Sequence, residues 1–202
     1  MSLRWRFGEP SARLSEVLAR GGVVLFPTES SYGVGVDPRS AAGVETVCRL
    51  KRRERGKPLG VVVADVAQAI ELGVSDDDPA LRWAAAHWPA PLSVLVRVVP
   101  RLPAMAGAAE LAVRVPDHAE LRVLLREVGP LTATSANRAG GPPILDPEEA
   151  ARWAARVDHV VIEGGVLRGG DPSTVVSWVV PPGGVGRPSV LRQGRFQWPP
   201  IR

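Results

Sequence analysis

The chain has 202 residues, 45% hydrophobic and 23% charged, with a formal net charge of +4. That length supports one sizeable core, and the balance excludes a disordered or fibrous protein. A single cysteine excludes an internal disulfide and a zinc site of the usual ligand spacing.

The opening segment, MSLRWRFGEPSARL, lacks the apolar core of a secretory leader, and no stretch approaches about 18 uninterrupted apolar residues. The expected location is therefore the cytoplasm, with no membrane partner. Lys51 and Lys57 are the only lysines among 25 basic side chains. Such an arginine excess fits a GC-rich genome and also favours phosphate-bearing partners.

In chain order, ARLSEVLAR places Leu14, Val17 and Leu18 on one helical face, and Gly21-Gly22 stops the helix. GVVLF then reads as a buried strand. Ser40 is placed to cap a helix running to about Arg52, with Val44, Val47 and Cys48 inward. PLGVVVAD reads as a strand, followed by short helices up to HWPAP. LSVLVRVV and LAVRVP read as strands, and HAELRVLLREV as a helix leading to PLTATS. Asp146-Pro147 opens another helix with acidic residues in its first turn. HVVIEGG, STVVSWVV and SVLRQG complete the strands, with residues 181–188 as a loop between the last two. This alternation predicts an α/β protein, a mixed sheet covered by helices, in one domain over residues 1–202.

Several catalytic signatures are absent: GxxxxGK[ST], GxGxxG after a strand, HExxH and GxSxG. His87, His118 and His159 stand apart, in contexts that suit satisfied surface or core histidines rather than a general base. Polar clusters instead follow the apolar strands, where ligands of open α/β sheets bind. They are Thr28, Glu29, Ser30, Ser31 and Tyr32; KRRERGK at 51–57; Arg114; TATSANRAGG at 132–141; GGDPSTVV; and SVLRQG. Taken singly, each reads as a turn, a cap or a solvated helix end. Together they describe one site rich in arginine, lysine, hydroxyls and glycine, without a nucleophile. Such a site suits a phosphate-bearing substrate and catalysis by positioning and electrostatics.

FPTESSYGVG (26–35) resembles the PT[ED]TxYGLG signature of the YrdC-type threonylcarbamoyl-adenylate synthases. RLKRRERGKPLGVVV is similar to that family's K-x-R…P-L segment, LAVRVPDH to its R-x-P segment, and TATSANRAGGPP to its T-S-A-N-x-S-G segment. PSTVV and VLRQG follow in the expected order, so the resemblance runs from about residue 12 to 195. It implies a YrdC-like fold: a twisted mixed β-sheet with flanking helices enclosing a deep basic cavity. It also implies formation of L-threonylcarbamoyl-adenylate and pyrophosphate from L-threonine, bicarbonate or CO2 and ATP, with Mg²⁺. That product supplies the N6-threonylcarbamoyl group of adenosine 37 in tRNA. By the same resemblance the chain looks like the short, single-domain form. A tRNA or a transferase complex is an expected partner, and DNA is not.

Carried over by motif, Ser30, Tyr32, Arg114 and Ser173 are expected at the threonine. Lys51, Arg53, Lys57, Ser135, Asn137 and Arg192 are expected at the nucleotide, with Lys51 and Arg53 facing the triphosphate as catalytic groups. No side chain is assigned to a metal. The sequence departs from the pattern at Ser30-Ser31, at Ala139, at Val62 and at Glu110, whose carboxylate is expected to point away from a triphosphate. The other readings are a module for double-stranded RNA or tRNA, on the strength of KRRERGK, and a paralogue making another carbamoyl-adenylate. The first is opposed by an aromatic content of only 5%.

Overall fold

The computed structural model describes residues 3–54 and 56–198. Arg55, in the basic run, and the two chain ends lie outside the described residues.

A short strand β1 (Leu3–Trp5) precedes helix α1 (Ala12–Ala19), whose buried Leu14, Val17 and Leu18 are the face the sequence predicts. Gly21, at φ +76°, turns the chain out of it. Strand β2 (Val23–Pro27) is buried throughout and forms an antiparallel hairpin with β3 (Tyr32–Gly35). Helix α2 (Ala41–Lys51) is capped by Ser40, whose Oγ accepts the Gly43 N–H at 3.1 Å. Its inward face carries Gly43, Val47 and Cys48, while Val44 is only half-buried. Strand β4 (Val61–Val62) is followed by α3 (Val66–Glu71), α4 (Pro79–Ala85) and β5 (Leu92–Arg97). Strand β6 (Glu110–Arg114) leads to α5 (Ala119–Val128), capped by the His118 ring, then to β7 (Leu131–Thr132) and β8 (Thr134–Ser135). Helix α6 (Pro147–Ala154), capped by Asp146, precedes β9 (His159–Ile162). Strands β10 (Thr174–Val179) and β11 (Arg187–Arg192) form the last hairpin.

The strands form two mixed sheets where the sequence reading expects one. Sheet A runs β1-β9-β2-β3-β8 and sheet B runs β11-β10-β5-β6-β4-β7. Residues 131–135 explain the difference, because consecutive residues there change sheets. Thr132 N–H donates to Val36 O at 2.8 Å, and Ala133 N–H donates to Gly60 O at 2.7 Å. PLGVVVAD yields only the two-residue β4, whose ladder with β6 closes on the bond from Val63 N–H to Arg114 O.

Strands β1 and β3 were not legible as strands. In β3 the sequence reading places FPTESSYGVG at the candidate site and assigns no strand to Gly33 and Gly35. Both instead sit in a buried strand, where they provide room. A Cβ on Gly35 would lie 2.4 Å from Thr132 O. Phe26, with no exposed surface, packs against this strand, and burial of such a side chain contributes about 2–3 kcal/mol.

Candidate active site

The two sheets meet at a cavity of about 200 Å³. Sheet A supplies Thr28, Ser30, Ser31 and Gly33 from the β2–β3 hairpin, and Thr134 and Ser135 from β8. Sheet B supplies Arg114 at the end of β6, Pro172 and Ser173 before β10, and Arg192 at the end of β11. Five of the sequence-predicted residues therefore converge: Ser30, Arg114, Ser135, Ser173 and Arg192. A larger hollow of about 560 Å³ lies at the other end of sheet A, against Arg4, Arg152 and His159, and draws on none of the six motif segments.

The turn at residues 28–31 owes its shape to Thr28. Its hydroxyl donates to Ser31 O at 2.7 Å and accepts the Ser30 and Ser31 N–H groups at 3.4 and 3.3 Å. Ser30 is thereby fixed at the cavity edge. Glu29 turns the opposite way, toward sheet B, and is ion-paired with Arg114. Its other oxygen accepts the Asp117 N–H at 2.9 Å. Burial opposes the Glu29 charge, but Arg114 and the two N–H groups outweigh it and hold the carboxyl below the usual range. Thr28 and Glu29 belong to a cluster the sequence singles out, yet their roles depend on which side of the turn each faces.

On sheet B, Arg192 donates from Nη2 to Ser173 O at 2.8 Å and to Ser173 Oγ at 3.3 Å. The Ser173 hydroxyl also lies 3.0 Å from that of Ser93, a residue the motifs do not mark. Burial, with the Arg114 charge nearby, lowers the Arg192 guanidinium below its ordinary value. Two like charges thus share one side of the cavity.

Lys51 and Asn137 stand behind the cavity. Lys51 is 3% exposed, and its Nζ donates to Ser135 O, Asn137 O and Asn137 Oδ1 at 2.5, 3.0 and 2.9 Å. Burial, with Arg53 nearby, lowers its pKa to about 8. Ser135 Oγ donates to the same Asn137 Oδ1 at 2.7 Å, so Lys51 fixes the segment that presents Ser135. Arg53 donates from Nη2 to Pro58 O at 2.8 Å, and its buried Nε has no hydrogen-bond partner among the described residues. Lys57 is exposed and pairs with Glu54 at 3.0 Å, outside the cavity.

Tyr32 departs from its expected place on the pocket wall. Its ring is fully buried; its hydroxyl donates to Gly165 O at 3.1 Å and accepts the Gly164 N–H at 3.0 Å. It anchors the loop after β9 rather than lining the cavity. Glu110 pairs in register with Arg97 and lines a neighbouring groove, away from the cavity.

The family model Sua5/YciO/YrdC, described as "Telomere recombination", matches residues 16–194. The chain belongs to the Sua5/YciO/YrdC family. A relative from Alkalilimnicola ehrlichii, named threonylcarbamoyl-AMP synthase, is 40% identical over 144 residues, covering 69% of this chain and 72% of the relative. One of the same name from Thiobacillus denitrificans is 36% identical over 168 residues, covering 81% and 88%. The structure of P. abyssi Sua5 complexed with L-threonine superposes with a TM-score of 0.79 at 25% identity. It covers 96% of this chain, which spans only 57% of that Sua5 chain. The two-sheet architecture is thus the Sua5/YciO/YrdC architecture, and the cavity between the sheets is formed by its motif segments.

Proposed function

We propose that this chain is an L-threonylcarbamoyl-adenylate synthase, a nucleotidyltransferase that converts L-threonine, bicarbonate and ATP into the adenylate, pyrophosphate and water. The observation that carries the reading is the convergence of Ser30, Arg114, Ser135, Ser173 and Arg192, from five separate motif segments, on one cavity. The names of its relatives support the same chemistry.

In this reading the threonine amine adds to bicarbonate, water leaves, and the resulting N-carboxylate attacks the α-phosphorus of ATP as pyrophosphate departs. Negative charge develops on phosphoryl oxygens, which favours fixed cations and hydroxyls over an acid–base pair. Arg114 takes the threonine carboxylate and Ser30 and Ser173 orient the amino acid, with Tyr32 supporting the pocket from behind. Ser135, Asn137 and Arg192 serve the nucleotide. Lys51 and Arg53 act on the triphosphate, Lys51 also by fixing Ser135, and Lys57 lies on the outer approach. Among the described residues no group of three His, Cys, Asp or Glu side chains converges on one point. In this reading magnesium would arrive with the triphosphate, and no side chain is assigned to it. The adenylate is handed on to tRNA modification, through a transferase complex in the cytoplasm. Among the described residues no helix is long and apolar enough to cross a membrane.

The test is to incubate the purified protein with ATP, bicarbonate and single amino acids, following pyrophosphate and detecting the adenylate by mass spectrometry. Release that requires both threonine and bicarbonate is expected. Release independent of threonine refutes the assignment.

A further inference from the structure

Glu29 stands immediately before Ser30, yet it is not among the residues lining the cavity. It ties the β2–β3 turn to three places on the sheet-B side. One carboxylate oxygen is ion-paired with Arg114 Nη2, the other accepts the Asp117 N–H at 2.9 Å, and its carbonyl accepts Arg195 Nη1 at 2.8 Å. With each oxygen held by a different donor, the carboxylate cannot rotate without losing one of them. Among the described residues Arg114 is held through Nη2, while its buried Nε has no hydrogen-bond partner there and the residue lines the cavity.

The charges around the site explain why such a hold is needed. Arg114 and Arg192 lie close enough for the charge on one to disfavour that on the other, and Arg195 adds a third cation across the turn. Glu29 is the carboxylate ion-paired with Arg114 among them; the side chain of Asp117 is exposed and takes part only through its N–H. Without the Glu29 charge, Arg114 is repelled from Arg192 and free to leave the cavity wall.

We propose that Glu29 is a positioning residue for amino-acid recognition: anchored by the Asp117 N–H, it locks the Arg114 guanidinium on the cavity wall so that a substrate carboxylate meets a preset fork. The proposal rests on the synthase reading, because the amino acid is its ligand. Glu29 acts through Arg114 and touches no substrate.

The experiment compares wild type, Glu29→Gln, Glu29→Asp, Arg114→Ala and the Glu29→Gln/Arg114→Ala double variant. Steady-state constants are measured for threonine and for ATP, and the Arg114 Nε–H resonance is followed by NMR. Loss of the Glu29 charge is expected to raise the threonine KM about 10-fold or more, with kcat and the ATP KM within about 2-fold. Glu29→Asp, which keeps the charge, recovers most of that loss. In the Arg114→Ala background Glu29→Gln adds almost nothing, since a group that acts through another has no effect once the other is gone. The Arg114 Nε–H, slow to exchange in wild type, exchanges faster in Glu29→Gln.

Equal losses for threonine and ATP, or full additivity in the double variant, overturn the proposal. Wild-type protein without threonine-dependent pyrophosphate release overturns the synthase reading instead. The resonance then still tests the hold on Arg114, and unchanged protection in Glu29→Gln overturns that as well.

Discussion

Arg114, at the end of β6 in sheet B, is ion-paired with Glu29 in the β2–β3 turn of sheet A, and their side chains are only 13% and 14% exposed. The pair spans the seam between the two sheets, with Arg114 on the cavity wall and Glu29 outside it. It therefore joins the stability of the fold to the charge balance of the site.

The first consequence is a dependence of stability on acid. The folded Glu29 carboxyl titrates below its unfolded value, so its contribution is present above the ordinary glutamate range and is lost as pH falls through the folded value. Urea midpoints measured from pH 7 down to 3 should decline less steeply in a Glu29→Gln/Arg114→Ala double variant than in wild type. Arg114→Ala alone leaves a buried carboxylate without its cation and should cost about 3 kcal/mol at pH 7. An acid limb identical in wild type and double variant removes this pair from the account.

A second prediction concerns ligand selectivity. Arg114→Ala should raise the threonine KM about 100-fold, because a carboxylate loses a charge-assisted fork, and should change the ATP KM far less. Ser30→Ala should act in the same direction by about 5- to 10-fold, the scale of one neutral hydrogen bond. Separate titrations of threonine and ATP in the pyrophosphate assay read both effects. Equal losses for the two substrates would mean that these residues hold the site open rather than bind the amino acid.

Third, Gly35→Ala should destabilise the protein by about 1–3 kcal/mol through overpacking at the seam. A methyl group there would approach Thr132 O at 2.4 Å and the Phe26 ring at 2.8 Å. Neither a buried carbonyl nor a core ring has space to retreat. Thermal and urea denaturation check this, and a neutral Gly35→Ala would show that residues 131–135 can shift.

Most of the fold was legible because its signals are local. The amphipathic face of α1, the Ser40 cap of α2 and the β-branched runs of β2, β5 and β10 each need only a few neighbouring residues. Strand β3 escaped because two of its four residues are glycines, which weaken a strand pattern, and only its partners β2 and β8 make it a strand. The split into two sheets was equally hidden, since it depends on hydrogen bonds from residues 132 and 133 to partners more than 70 positions away in sequence. At the site, the motifs found the segments but not the direction of every side chain. Ser30 and Tyr32 are two residues apart, yet one edges the cavity and the other is buried behind it against Gly164 and Gly165. Lys51 shows the same limit, because its sequence position says nothing of the three oxygens that enclose it.

Lys51 also supplies the last prediction. Burial, reinforced by the Arg53 charge, lowers its ammonium from an ordinary value of 10.5 to about 8. Between those two pH values the unfolded chain binds the proton more tightly, so this group's contribution to stability increases as pH rises from about 8 toward 10.5. Function should respond in the opposite sense. A neutral amine cannot donate to all three of Ser135 O, Asn137 O and Asn137 Oδ1, and it no longer offers positive charge behind the site proposed for the triphosphate. The value of kcat/KM for ATP should therefore fall as pH rises through about 8, while the urea midpoint, relative to Lys51→Met, rises over the same window. Lys51→Arg, which stays charged, should move the kinetic decline to higher pH. Two curves of the same sign, or a decline that persists unchanged in Lys51→Arg, would show that some other group titrates there.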